Sequence, residues 1–177
     1  MIKHRIEKRP SFVVTGVKTW IGGTDGNEAF GHFWDECKSN GILDELSKIS
    51  GGKPGSETGA MFLGLSAVDK DPSNREFDFY VAVEGSAGAT ECRFECYAVP
   101  AATWAVFRTT GAMPDALVEA EIHAFRDWLP GSGYVHANAP ELEVYPPSQL
   151  ANGMLVEFWL PVTAAGQSGR TTAHSVA

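Results

Sequence analysis

The chain has 177 residues, a mass of 19.0 kDa, and 14 basic against 22 acidic side chains, for a formal net charge of −8. That length suits one domain, or two closely packed halves, able to hold a core without disulfides or metals, and 44% hydrophobic with 20% charged residues is the balance of a folded globular protein. An isoelectric point near 5.1 argues against direct nucleic-acid binding, which needs lysines and arginines to replace condensed counterions, and no run approaches the ~20 apolar residues of a membrane span. The basic start (Lys3, His4, Arg5, Lys8 and Arg9) reads as a flexible, solvated segment over residues 1–9. It lacks the apolar core and small-residue cleavage pattern of a secretory signal, so a cytoplasmic location is expected.

Residues 11–20, rich in Val, Thr and aromatics and closed by Gly22-Gly23, predict a strand. Residues 27–38 place Phe30, Phe33, Trp34 and Cys37 at helical spacing, and the apolar stripe resumes at Ile42, Leu43, Leu46 and Ile49 after Gly41. A Gly/Pro/Ser loop over 51–59 leads to strands over 61–67 and 77–84, joined by a polar turn. Residues 85–90 mark a midpoint, after which the order of elements returns. Residues 92–99 and 103–109 are strand-like, and 114–129 is the clearest helix, with Pro114 in its first turn and Pro130-Gly131 at its end. Two last strands are predicted over 141–145 and 154–162, and the small, polar residues 163–177 read as a disordered tail.

The fold class is therefore α+β, with duplicated strand–helix–strand–strand units forming an antiparallel sheet system and a central pocket between the halves. One domain over 10–162 is expected, with pseudo-repeats at about 10–85 and 91–162. An odd number of cysteines agrees with a reducing compartment. Cys92 and Cys96, if extended, stand about 13 Å apart, too far to bridge or share an ion; no metal site and no cofactor are expected. No strained Gly-x-Ser-x-Gly turn or phosphate-cradling glycine loop is present, and His32, His123 and His136 read as satisfied or exposed.

A set of short aromatic motifs carries a resemblance. Trp104-Ala105-Val106-Phe107 followed by Gly111, Asp127-Trp128-Leu129-Pro130, Leu142-Glu143-Val144-Tyr145 and Glu157-Phe158-Trp159-Leu160-Pro161-Val162 occupy the second half. Phe12 to Gly16, Phe33-Trp34 and Phe77 to Glu84 occupy the first. Their order and spacing resemble the GyrI-like small-molecule-binding domain, the effector-binding domain of bacterial transcription activators, over about residues 10–162. The resemblance implies a central pocket for bulky, often cationic aromatic compounds, a ligand-facing glutamate at Glu143 and a neighbouring aromatic at Trp159. No helix-turn-helix pattern precedes residue 10, so a stand-alone member is expected.

The residues offer their own reading of Glu143. Strand alternation puts Glu141, Glu143 and Tyr145 on one side and Leu142 and Val144 on the other. The ordinary outcome is both glutamates in water, but a tyrosine on their side suits a pocket wall, and with the resemblance a pocket glutamate is preferred. Trp159, Tyr80, Trp104, Phe107 and Tyr145 lie in predicted strands and are the candidate walls, Trp159 sharing a face with Glu157 and Tyr80 with Asp78. Trp34 and Trp128 are assigned to the core by their helical stripes. Aromatic faces attract cations at about 0.5–2 kcal/mol each. The function expected is binding of lipophilic, cationic aromatic molecules, for sensing or sequestration, with Glu143 as counter-ion. The alternative is a hydrolase of electrophilic toxins on the same scaffold, with Glu143 as general base.

Overall fold

The protein is described from a computed structural model covering residues 1–68, 73–86, 93–148 and 153–166. Nine strands and three α-helices follow in the order β1 (Lys3–Arg9), β2 (Phe12–Ile21), α1 (Glu28–Ser39), α2 (Ile42–Ile49), β3 (Phe62–Ser66), β4 (Phe77–Glu84), β5 (Glu95–Val99), β6 (Ala102–Gly111), α3 (Asp115–Ile122), β7 (Tyr134–His136), β8 (Glu141–Tyr145) and β9 (Met154–Ala164). Gly41 separates α1 from α2 because it adopts the left-handed conformation, at φ 80°, that glycine reaches without steric cost. The long helix predicted over 114–129 is α3, continued by a π-helical stretch at His123–Trp128 and a 3-10 turn at Leu129–Gly131.

All pairings are antiparallel, and the sheet runs β1-β6-β9-β8-β3-β4-β2-β5, with β7 also on β9. Read outward from the central β3–β8 pair, each half repeats the other: β3 matches β8, β4 matches β9, β2 matches β6 and β5 matches β1. The duplication predicted from element order is thus present, with an exchange no periodicity announces. The first strand of each repeat crosses to the other half, β1 pairing with β6 and β5 with β2.

Two clusters lie under helices: Phe77, Phe79 and Val81 beneath α1 and α2, which contributes Leu46, and Phe107 and Phe158 beneath α3, which contributes Leu117 and Ala120. The third fills the helix-free face, where Val14, Leu63, Leu65, Trp104, Val106, Leu142, Val144 and Trp159 are buried. No helix among the described residues covers them; the sheet curls over its own side chains, its outer strands tied by the short links 10–11 and 100–101.

Two sequence expectations change. Residues 3–9 form an edge strand rather than a solvated tail. Arg5 donates to both oxygens of buried Glu157, at 2.9 and 3.2 Å, and Glu157 also receives Trp159 Nε1 at 2.9 Å and lies 3.0 Å from Arg108 Nε. The last strand reaches Ala164, past the predicted end at residue 162, because Thr163 and Ala164 pair with the short strand β7. Residues 69–72, 87–92 (including Cys92), 149–152 and 167–177 lie outside the described residues.

Candidate functional site

The site grows from the central strand pair. Phe62 stands opposite Tyr145, Gly64 opposite Glu143, and Ser66 opposite Glu141. Cross-strand partners share a face, so these six point to the helical side while Leu63, Leu65, Leu142 and Val144 enter the dry core behind. Helices α1 and α3 stand on either flank of this floor. Between them lies a cavity of about 830 Å3, within the size range of small-molecule sites. Trp34 and Phe30 of α1, Leu117 and Glu121 of α3, and Phe77, Phe62 and Phe158 from the sheet complete its lining with Glu143 and Tyr145.

Glu143 is 6% exposed, and the Tyr145 hydroxyl donates to its Oε2 at 2.8 Å. Burial pushes its carboxyl up to about 7 even though Tyr145 and the nearby Trp34 indole favour the charged form. The Trp34 ring meets Tyr145 edge-on with centroids 5.3 Å apart, and its buried Nε1 has no hydrogen-bond partner among the described residues. Gly64 leaves the room: a Cβ there would stand 2.9 Å from Glu143 Oε2 and 2.8 Å from Phe79 Cζ.

Glu121 faces the cavity from α3, and burial, followed by the charges of Glu143 and Glu141, pushes its carboxyl up to about 8 against the pull of Arg75. Glu141 is different. Arg75 donates to both its oxygens at 3.0 Å, and His136 Nε2 donates at 3.1 Å, its Nδ1 being occupied by the Asn138 N–H. Burial opposes its charge, but these bonds prevail and hold Glu141 below the usual carboxylate range. Neither Glu121 nor Glu143 forms an ion pair among the described residues. The cavity therefore holds two acidic groups without ion pairs among the described residues, and its rim adds Asp25, Glu28 and Asp35 to His32 and Lys38. A shallower hollow of about 750 Å3 elsewhere is lined by Lys8, Arg9 and His136 and has no carboxylate in its wall.

Of the predicted site residues, the structure brings Glu143 and Tyr145 together in this cavity. It does not bring Trp159, Trp104 or Tyr80 there: all three are packed on the helix-free face. The register explains this, because Glu143 pairs with Phe158 while Trp159 pairs with Leu142 and so shares the core face. Phe107 is on the helical side but sealed beneath α3, against Trp128 and His123. Trp34, assigned to the core from its stripe, does pack against the cluster beneath α1 and also lines the cavity. Glu121 was missed because acids on a helix ordinarily mark its solvated side, and Phe158 because its face depends on pairing.

These features coincide with a known class. The chain belongs to the integron-associated effector-binding protein family, Cass2, whose profile matches residues 5–162; the GyrI-like resemblance read from the aromatic motifs holds. Its fold is similar to that of SAV2435 bound to tetraphenylphosphonium (TM-score 0.70, 21% identity, 91% of this chain and 94% of that one). It is also similar to an integron cassette protein from the mobile metagenome of Vibrio cholerae (0.67, 18%, 90% and 95%) and to a hydrolase from Listeria innocua (0.50, 14%, 91% and 92%). At these identities the likeness is one of fold. No curated protein sequence matches significantly. No helix among the described residues is long and apolar enough to cross a membrane.

Proposed function

We propose that this protein binds lipophilic aromatic cations in the cavity between α1 and α3, for sensing or sequestration, with Glu143 as counter-ion. One observation carries the reading: Glu143 is buried and Glu121 half-buried in the wall of a ring-lined hollow, and neither forms an ion pair among the described residues. A buried carboxylate without a cation costs several kcal/mol, and a bound cation recovers part of that cost. Trp34 and Tyr145 add ring faces beside Glu143, each worth about 0.5–2 kcal/mol to a cation. After association costs, micromolar affinity is a reasonable outcome. The tetraphenylphosphonium carried by SAV2435 has the same chemistry. The net charge of −8 disfavours direct nucleic-acid contact, and the exposed free thiol of Cys96 suits a cytoplasmic setting.

Calorimetric titration with tetraphenylphosphonium and with neutral triphenylphosphine oxide tests this. The cation is expected to bind at least about tenfold more tightly, a difference of about 1.4 kcal/mol. Equal affinities would reject a carboxylate-based site.

A second reading has its own observation. Glu143, with a carboxyl near 7 and a Tyr145 hydroxyl at 2.8 Å, has the poise of a general base, as hydrolysis of an electrophile would require. Mass spectrometry of recovered compound separates the two, since a binder returns it unchanged and a hydrolase adds water.

A further inference from the structure

We propose that the cavity is built for a dication: an aromatic compound whose first positive centre sits at Glu143 and whose second reaches Glu121. This rests on the lipophilic-cation reading and narrows it. The two acids belong to different layers, Glu143 to the floor strand β8 and Glu121 to the wall helix α3. Their surroundings also differ. Glu143 is enclosed by rings and holds the Tyr145 hydroxyl, an environment for a flat aromatic cation. Glu121 has Leu117 and Val118 beside it on the same helix face and makes no hydrogen bond among the described residues.

A single cation at Glu143 would leave Glu121, half-buried in the α3 wall of the same cavity, without an ion-pair partner among the described residues. Arg75 does not resolve this, because its two terminal nitrogens are committed to Glu141 and its guanidinium lies over Phe77 and Phe125, 5.4 and 5.8 Å from their centroids. His136 is likewise engaged by Glu141. The remaining charged or titratable lining groups, Asp25, Glu28, His32, Asp35 and Lys38, all belong to the segment entering α1 or to α1 itself, away from α3. A volume of about 830 Å3 leaves space for a second charged arm beyond one fused ring system. A ligand bearing two positive centres would therefore meet both unsatisfied acids at once.

Ethidium and propidium test the inference, since they share one ring system and propidium adds a quaternary ammonium on a propyl arm. In fluorescence titrations at low salt, the unaltered protein is expected to bind propidium about tenfold more tightly than ethidium. Glu121→Gln, nearly isosteric, should weaken propidium more than ethidium and bring the two dyes within about twofold, whereas Glu143→Gln should weaken both without removing the preference. Melting curves of each variant check that the fold is retained. Ethidium binding with no preference for propidium would overturn the dication proposal and leave the cation reading standing. A preference that survives Glu121→Gln would also overturn it, placing the second charge at another acid. Failure of both dyes and of tetraphenylphosphonium to bind would remove the underlying reading instead.

Discussion

The two faces of the β3–β8 pair are made from the same ten residues, yet they solve burial in opposite ways. On one side Leu63, Leu65, Leu142 and Val144 have no solvent exposure and meet Trp104 and Trp159. Every contact there is between protein atoms, so the energy of burial is already realised in the folded chain. On the other side Gly64, Glu141 and Glu143 occupy the alternate positions, and of the two acids only Glu141 is paired with a cation, Arg75. Burial there is incomplete without a partner. Strand alternation thus divides one sheet into a face that stabilises the fold and a face that, on the proposed reading, is completed by a bound cation.

Substitutions on each face should separate these roles. The largest expected effect is on the dry side: Trp159→Ala should lower unfolding free energy by about 3–5 kcal/mol in urea denaturation, while the protein that remains folded keeps its affinity for tetraphenylphosphonium. Parallel loss of affinity would mean that the two faces are not independent. Glu143→Gln inverts the pattern. Cation affinity should fall by roughly 1.5–3 kcal/mol, and unfolding at pH 8.5 should become no easier. A smaller effect on stability, about 1–3 kcal/mol, is expected for Gly64→Ala, because its Cβ would stand 2.9 Å from Glu143 Oε2 and 2.8 Å from Phe79 Cζ. Cation affinity should drop with it as Glu143 is displaced; unchanged affinity would show that Glu143 need not hold its present place.

A further effect is in pH dependence. Glu143 and Glu121 have carboxyls raised to about 7 and about 8 in the folded chain, from 4.5. A raised carboxyl contributes stability that is complete below pH 4.5 and is lost as pH rises through the folded values. The melting temperature of the free protein should therefore decline between pH 6 and 9. Saturating cation, or the paired Glu121→Gln and Glu143→Gln changes, should flatten that decline. A slope unaffected by either treatment would assign it to other groups.

How far the sequence discloses this arrangement depends on the range of the interaction. Local patterns suffice for β4 and β8, whose bounds agree with the predicted strands, and for the placement of Tyr145 beside Glu143, since residues two apart in a strand share a face. Facing across strands is another matter. Trp159 is conspicuous beside Glu157, but its pairing with Leu142 sends it to the core, and Phe158 takes the place opposite Glu143. Alternation within one strand cannot supply the register between two. Helical stripes carry a similar ambiguity: the apolar face bearing Trp34 packs on the core and also borders the cavity. The N-terminal strand depends on Arg5 reaching Glu157, 152 residues away, which no local reading can anticipate.

The most direct test of the account is a crystal structure of the protein with tetraphenylphosphonium. The account expects the phosphonium between α1 and α3, with Glu143 among its nearest acids and a phenyl ring against Trp34 or Tyr145. A phosphonium lodged on the Trp104–Trp159 side, or seated between the helices without approaching Glu143, would contradict it.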